Sequence, residues 1–318
     1  MVSLGPNDVG SRVTVRVRMG EADQPTYVDA VGELMAYSDT GIVVRRRGGR
    51  RLEVRHSDVL AGHVVPPRSD AAGQFSDADV ERIASRGWRG RETHQLGGWL
   101  LRAAGGWTGR ANSVLALGDP DLPLDEALAR VTAWYADQRL PARFQLPLPL
   151  CSALDVELEA RGWTAYNPTL LLTSDLGPVR RALPATDAVR VASTPSDEWL
   201  AAYHYRGGAL PSIAREVMVD ADRPAFASLV QDGAVVAIGR AVVDDRWCGI
   251  TALEVGEPHR RRGLARLVLR ALLDWSTTYG ARHIYLQVAE GNRPALELYR
   301  QYGFGVHHRY HYRLQPDG

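Results

Sequence analysis

The sequence predicts an α/β (α+β) protein with a small β-barrel in front, and three observations carry that expectation. Residues 1–66 hold short period-two segments with no helical stripe. Beyond residue 76, segments of helical period alternate with extended ones. The stretch Leu158 to Trp163 ("LEARGW") matches Tyr299 to Phe304 ("YRQYGF"), each an amphipathic helix stopped by a glycine and followed by an aromatic residue. A chain of 318 residues suits two domains, or three if one is small. The expected units are residues 1–66, 76–176 and 188–318.

Taken in order, "RVTVRVR" (Arg12 to Arg18) alternates valine with polar residues, "GIVVRRRGGRRLEVR" reads as a hairpin turning at Gly48-Gly49, and "VVPPR" closes the first unit. Its arginine run (Arg45, Arg46, Arg47, Arg50, Arg51) is read as a solvated hairpin tip, because acidic residues nearly balance arginines over residues 1–69. Residues 67–75 are a linker by composition. Helical "DADVERIASRGW", extended "GGWLLRAAGG", helical "LDEALARVTAWYADQ" and extended "PTLLLTSDL" follow, and "GPVRRALPATD" (Gly177 to Asp187) reads as a second linker. After it come extended "AVRVAS", two short helices, two strands turning at Asp232-Gly233, a strand ending at Val255, a helix from Leu264, the strand "HIYLQV", a short helix and the strand "HHRYHYRL".

Composition narrows the function classes. A net charge of +1 argues against a generally basic nucleic-acid binder. No apolar run approaches the roughly 18–20 residues of a membrane span, and "MVSLGPNDVG" lacks the regions of a signal peptide, so a cytoplasmic protein without membrane attachment is expected. Cys151 and Cys248 are too far apart in sequence to suggest a metal or redox pair and are read as packing residues. All 38 basic residues are arginine; the chain has no lysine. It therefore cannot modify a lysine of its own.

The most informative stretch is "EPHRRRGLARLVLRALLDW", Glu257 to Trp275. Leu264, Leu267, Val268, Ala271, Leu272 and Trp275 form a helical stripe, so one face of that helix is buried. Its approach carries Arg260, Arg261 and Arg262 where the helix dipole favours acidic residues. A bound anion resolves the conflict: free amides at a helix start, a glycine and guanidinium groups together make a pyrophosphate cradle. On charge pattern alone an exposed basic turn is an equally good reading.

"Arg260-Arg-Arg-Gly263-Leu-Ala265" resembles the [Q/R]-x-x-G-x-[G/A] signature of the GNAT superfamily of acyl-CoA-dependent N-acetyltransferases, and "NRPALELYRQYGF", from Asn292 through Tyr299 to Gly303 and Phe304, resembles its second signature, N-x-x-A-x-x-L-Y-x-x-x-G-F. The resemblance is specific over Val235 to Leu314. It implies a seven-stranded mixed sheet whose fourth and fifth strands splay apart, with acetyl-CoA as cosubstrate and no metal. The pantetheine arm would pair with the backbone near Leu253 and Val255, and pyrophosphate oxygens would meet the amides from Arg261 through Gly263 and Leu264 to Ala265, with Arg260, Arg262 and Asn292 in the same cofactor site.

The resemblance also implies direct acetyl transfer to an amine through a tetrahedral intermediate. Tyr299 is the expected proton donor to the departing thiolate and the Val255 amide the expected oxyanion donor. Glu254 is the expected base, ahead of Asp244 and Asp245, which fit an ordinary turn. In "HHRYHYR" regular strand alternation puts His307, Arg309 and His311 on one face and His308, Tyr310 and Tyr312 on the other, so an arginine separates the two candidate ligands and a substrate-rim or sheet-surface role is expected rather than a metal site. Leu158 occupies the place of Tyr299 in the middle segment, which also lacks R-x-x-G-x-G and carries Asp119, Asp121 and Asp125, so that copy is expected to be catalytically silent. The plan of an SH3-like barrel, a degenerate copy and an intact copy is similar to a group of actinobacterial acetyltransferases.

The function expected is acetyl transfer from acetyl-CoA to a primary amine of a small molecule or protein. The competing expectation is a weakly catalytic acyl-CoA sensor whose barrel recruits a partner. "GGWTGRANS", with Arg110 and Asn112, is either part of an acceptor pocket or a polar loop.

Overall fold

The structure is a computed structural model and describes residues 4–10, 12–19, 26–46, 50–64, 74–204, 208 and 210–316. Contacts divide the chain into two compact units, Met1–Arg68 and Ser69–Gly318.

The first unit holds β1 (Arg12–Met19), β2 (Thr26–Tyr37), β3 (Gly41–Arg46), β4 (Arg51–Arg55) and β5 (Val59–Val64). They form an antiparallel sheet in the order β4-β3-β2-β1-β5. Val13, Val15 and Val17 point inward onto Ala30, Leu34, Ile42 and Val44, as period-two alternation demands. Among the described residues the outer strands β4 and β5 do not pair with each other, so the small antiparallel β unit is seen without its closing contact. Arg45 pairs with Glu33 on the neighbouring strand, in keeping with a solvated hairpin. The expected Gly48-Gly49 turn lies outside the described residues.

The second unit begins with α1 (Asp77–Arg86), capped by Ser76, whose hydroxyl accepts from the Asp79 amide. There follow β6 (Glu92–Leu96), β7 (Trp99–Ala103), β8 (Val114–Ala116), α2 (Leu124–Asp137), β9 (Arg143–Leu148), α3 (Ser152–Ala160) and β10 (Thr164–Asp175). Then come α4 (Leu176–Ala182), β11 (Val189–Ala192), α5 (Asp197–Ala201), α6 (Ala214–Val219), β12 (Pro224–Gln231), β13 (Ala234–Asp244) and β14 (Trp247–Val255). The unit ends with α7 (Leu264–Thr278), β15 (His283–Ala289), α8 (Arg293–Gln301) and β16 (Gly305–Leu314). The expected second linker is in part α4: Val179 and Leu183 are buried in the main core, and Arg270 of α7 donates to the carbonyls of Arg180 and Leu183.

One eleven-stranded sheet runs through the unit in the order β11-β12-β13-β14-β15-β10-β16-β9-β8-β7-β6. The internal repeat is visible to the hydrogen bond. The Trp163 amide donates to the Leu158 carbonyl at 3.0 Å after Gly162 (φ +81°), and the Phe304 amide donates to the Tyr299 carbonyl at 3.1 Å after Gly303 (φ +81°). The closing strands of the two copies are exchanged. β10 lies between β15 and β16, and β16 lies between β10 and β9, so each copy is completed by the other's strand.

Helix α7 packs its buried face, including Leu264, Val268, Leu269, Leu272 and Leu273, on strands β11 to β14. Each such leucine contributes about 1.5–3 kcal/mol of burial. The approach is close enough that a Cβ at Gly239 of β13 would lie 2.8 Å from Val268 and 2.9 Å from Leu272.

Candidate active site

Strands β14 and β15 are parallel and pair only from Trp247–His283 to Ile250–Leu286. Beyond Ile250 they part, as the fourth and fifth strands of the expected fold do, and β14 runs on to Val255 with one edge open. At that point β14 bulges against β13: Arg240 pairs with Thr251 and Ile238 with Glu254, and Ala252 takes φ +51°. The extra residue resets the alternation. Cys248 and Ile250 face the α7 core, and Leu253 and Val255 rejoin that face, while Ala252 packs on the opposite side among residues of α5 and α6.

The Gly256 amide donates to the Val236 carbonyl at 2.9 Å, which makes Ala237–Val255 a non-hydrogen-bonded pair of an antiparallel ladder. The Val255 N–H therefore points away from β13, into the opening.

From Val255 the chain turns through a short 3-10 segment, Glu257–His259, into α7. Arg261 (φ +61°) and Gly263 (φ +79°) are both left-handed, and Gly263 is the N-cap residue. A Cβ at Gly263 would meet nothing within 4 Å, so the glycine serves conformation and leaves space above the helix start. Among the described residues the amides of Arg261, Arg262, Gly263, Leu264 and Ala265 find no acceptor, and α7 has no acidic residue in its first turn. Arg260, Arg261 and Arg262 are exposed and make no carboxylate ion pair among the described residues; Arg260 Nε donates to the Val255 carbonyl at 3.2 Å. This is a run of backbone donors beside positive charge, of the kind suited to a pyrophosphate.

Tyr299 lies on the single buried position of α8, its ring edge-on to Phe304 with centroids 5.4 Å apart. Burial pushes its phenol well above the ordinary tyrosine range, so it holds its proton. Its hydroxyl makes no hydrogen bond among the described residues. Asn292 is exposed and caps α8, Oδ1 accepting from the Ala295 amide at 3.2 Å. Leu158 is buried in the other copy's core, among Trp163, Phe144 and Leu146.

Glu254 projects toward α5. Its Oε2 accepts the His204 backbone N–H at 3.0 Å and its Oε1 lies 3.1 Å from His204 Nδ1. His204 borders a cavity of about 450 Å³ lined also by Leu200, Tyr203, Leu210, Ser212 and Arg215. Sequence reasoning left His204 out because its approach to Glu254 depends on the bulge. Asp244 ion-pairs with Arg86 and belongs to the scaffold.

In "GGWTGRANS" Asn112 is buried and fully bonded: Oδ1 accepts from Ala104 and Gly106, and Nδ2 donates to the carbonyls of Trp107 and Thr108. It is a loop scaffold. Arg110 lines a cavity of about 110 Å³ with Asn167, Thr169, Ala289 and Tyr312.

Residues 78–313 match the family described as the C-terminal region of the probable histone acetyltransferase Rv0428c. The chain belongs to that acetyltransferase family. It is a GNAT-type N-acetyltransferase. Residues 7–63 of the acetyltransferase match that family's N-terminal Sm-like domain, which is the description the family gives in place of the expected SH3-like one. The "Probable histone acetyltransferase Rv0428c" of Mycobacterium tuberculosis is 31% identical over 321 residues, covering 96% of this chain and 94% of the relative. In fold, the acetyltransferase is similar to a GCN5-related N-acetyltransferase from Kribbella flavida (TM-score 0.55, 18% identity, 76% of this chain and 96% of that one). It is also similar to a tandem GNAT protein from the clavulanic acid biosynthesis pathway (TM-score 0.51, 15% identity, 80% and 99%).

Proposed function

We propose that the acetyltransferase takes its acetyl group from acetyl-CoA and delivers it to a primary amine of a small molecule or protein. The observation that carries this reading is the run of five amides around left-handed Gly263 that find no acceptor among the described residues, beside three exposed arginines that make no carboxylate ion pair there. The donor supplies the activated acetyl thioester; the rest belongs to the chain. Amides from Arg261 to Ala265 hold the pyrophosphate, and the open edge of β14 near Leu253 and Val255 holds the pantetheine. The Val255 N–H, aimed into the opening, stabilises the developing oxyanion. Tyr299 delivers a proton to the departing sulfur. Glu254, held by His204 at the rim of the 450 Å³ cavity, receives the proton of the incoming ammonium, directly or through water.

Two features favour an amine acceptor. Glu254 sets a carboxylate beside the cavity, and the Mycobacterium tuberculosis relative is named for a protein substrate whose acceptors are amines. The expected silent copy fits the same scheme, since Leu158 has no proton to give.

Calorimetry with acetyl-CoA tests the donor site. The wild-type chain should bind it with measurable heat, and Gly263→Glu, which adds a carboxylate and strains a φ of +79°, should weaken binding at least about tenfold. No heat from folded wild-type protein overturns the reading. Labelled acetyl-CoA with peptide and polyamine acceptors tests the second half; because the enzyme contains no lysine, any acetyl-lysine formed belongs to the acceptor.

A further inference from the structure

His307 and His308, expected on opposite faces of β16, point the same way. Leu171 of β10 pairs with His308 and Leu172 with Val306, so His307 is the extra residue of a bulge, and both imidazoles turn toward α1. Both side chains are fully buried. Their Nδ1 atoms are 2.8 Å apart, and Asp77 Oδ1 lies 3.3 Å from that of His307 and 3.8 Å from that of His308.

The surrounding hydrogen bonds fix which ring nitrogens carry protons. Arg102, a donor only, donates to Gln145 Oε1, which turns the Gln145 amide so that its Nε2 donates to Glu81 Oε2. Glu81 is thereby an acceptor, and its Oε1 receives the N–H of His308 Nε2 at 2.8 Å. On the other ring, His307 Nε2 faces the Phe75 carbonyl at 3.3 Å, which can only accept. Each imidazole thus spends its proton outward on a carboxylate or carbonyl. The two Nδ1 atoms then face each other and a carboxylate, an arrangement that suits something positive between them.

We propose that Asp77, His307 and His308 form a binding site for a divalent transition-metal ion of the zinc type. The three donor atoms lie on a circle of radius about 2 Å, the length of a zinc–nitrogen or zinc–carboxylate bond. Outward N–H bonds to a carboxylate and a carbonyl are the usual support of metal-bound histidines. Asp77 is 17% exposed, leaving an opening for the ion and for a water as further ligand. The ion would fasten α1, at the start of the second unit, to β16 near its end, with β15 and β10 standing between β16 and β14 in the sheet.

The test uses the full chain stripped by chelation and titrated with Co²⁺. One equivalent should bind with the visible absorption of a low-coordinate cobalt centre, Zn²⁺ should displace it, and Mg²⁺ should not. Asp77→Asn removes the ligand that is least buried and leaves the Ser76 cap in place; it should weaken Co²⁺ binding at least tenfold without changing the circular dichroism spectrum. A folded wild-type chain that develops no cobalt absorption overturns the proposal and assigns the gap to a shared proton. Equal Co²⁺ affinity in wild type and Asp77→Asn overturns it as well.

Discussion

His204 holds both oxygens of Glu254, its backbone N–H at 3.0 Å from Oε2 and its ring Nδ1 at 3.1 Å from Oε1. One residue of the α5 end thus orients a carboxylate carried by the central strand. If Glu254 receives the acceptor's proton, Glu254→Gln should lower kcat about 10²-fold or more at neutral pH. The deficit should shrink as pH rises toward the acceptor amine's own pKa, about 10.4 for a lysine side chain, because the amine then arrives uncharged. A deficit constant with pH would assign Glu254 a structural part.

Tyr299 offers a cleaner substitution, since its hydroxyl supports no hydrogen bond among the described residues. Tyr299→Phe should leave the melting temperature within a degree or two and reduce acetyl transfer at least about 10-fold, inside the usual 10²–10⁴ range or just below it. Stopped-flow measurement of the chemical step is the check; an unchanged rate removes the residue from proton delivery.

Asp155 of α3 accepts from Arg313 Nε and lies against His311 Nε2, both at 2.7 Å, joining one copy's helix to the other copy's strand. Burial works to raise its pKa, and the bonds from Arg313 and His311 outweigh it, so the folded value is lowered. A lowered folded pKa means stability that is present above the unfolded carboxylate value, near 3.9, and lost as pH falls through the folded one. Asp155→Asn should therefore unfold at lower urea than wild type at pH 7, and the gap should close below about pH 4.

The two thiols give a chemical test of packing. Burial pushes both Cys151 and Cys248 up to about 12. Thiolate is the reacting form, so neither should be alkylated by iodoacetamide at pH 8 until the protein is unfolded. Labelling of native protein on the timescale of a free thiol would contradict the burial of both sites.

What could be read from the chain was what depends on near neighbours. The α7 stripe, the arginine–glycine turn and the helix–glycine–aromatic junctions are each set within a dozen residues, and each is present in the structure. The bulges at Ala252 and His307 were not legible, because an extra residue in a strand changes no composition; yet they decide where Glu254 and the histidine pair point. The stretch Gly177 to Asp187 reads as a linker in sequence, although Val179 and Leu183 carry the signal of a buried face. The exchange of β10 and β16 left no trace at all, since an alternating strand looks the same whichever neighbours it joins.

That exchange makes the pair of copies a single object in synthesis and in evolution. A nascent chain that has completed β10 still has a gap beside β9, filled only when Leu314 has left the ribosome, so assembly of the earlier copy waits on the later one. Deleting the earlier copy would strip the later copy's sheet of the strand between β15 and β16, so neither can be lost without the other.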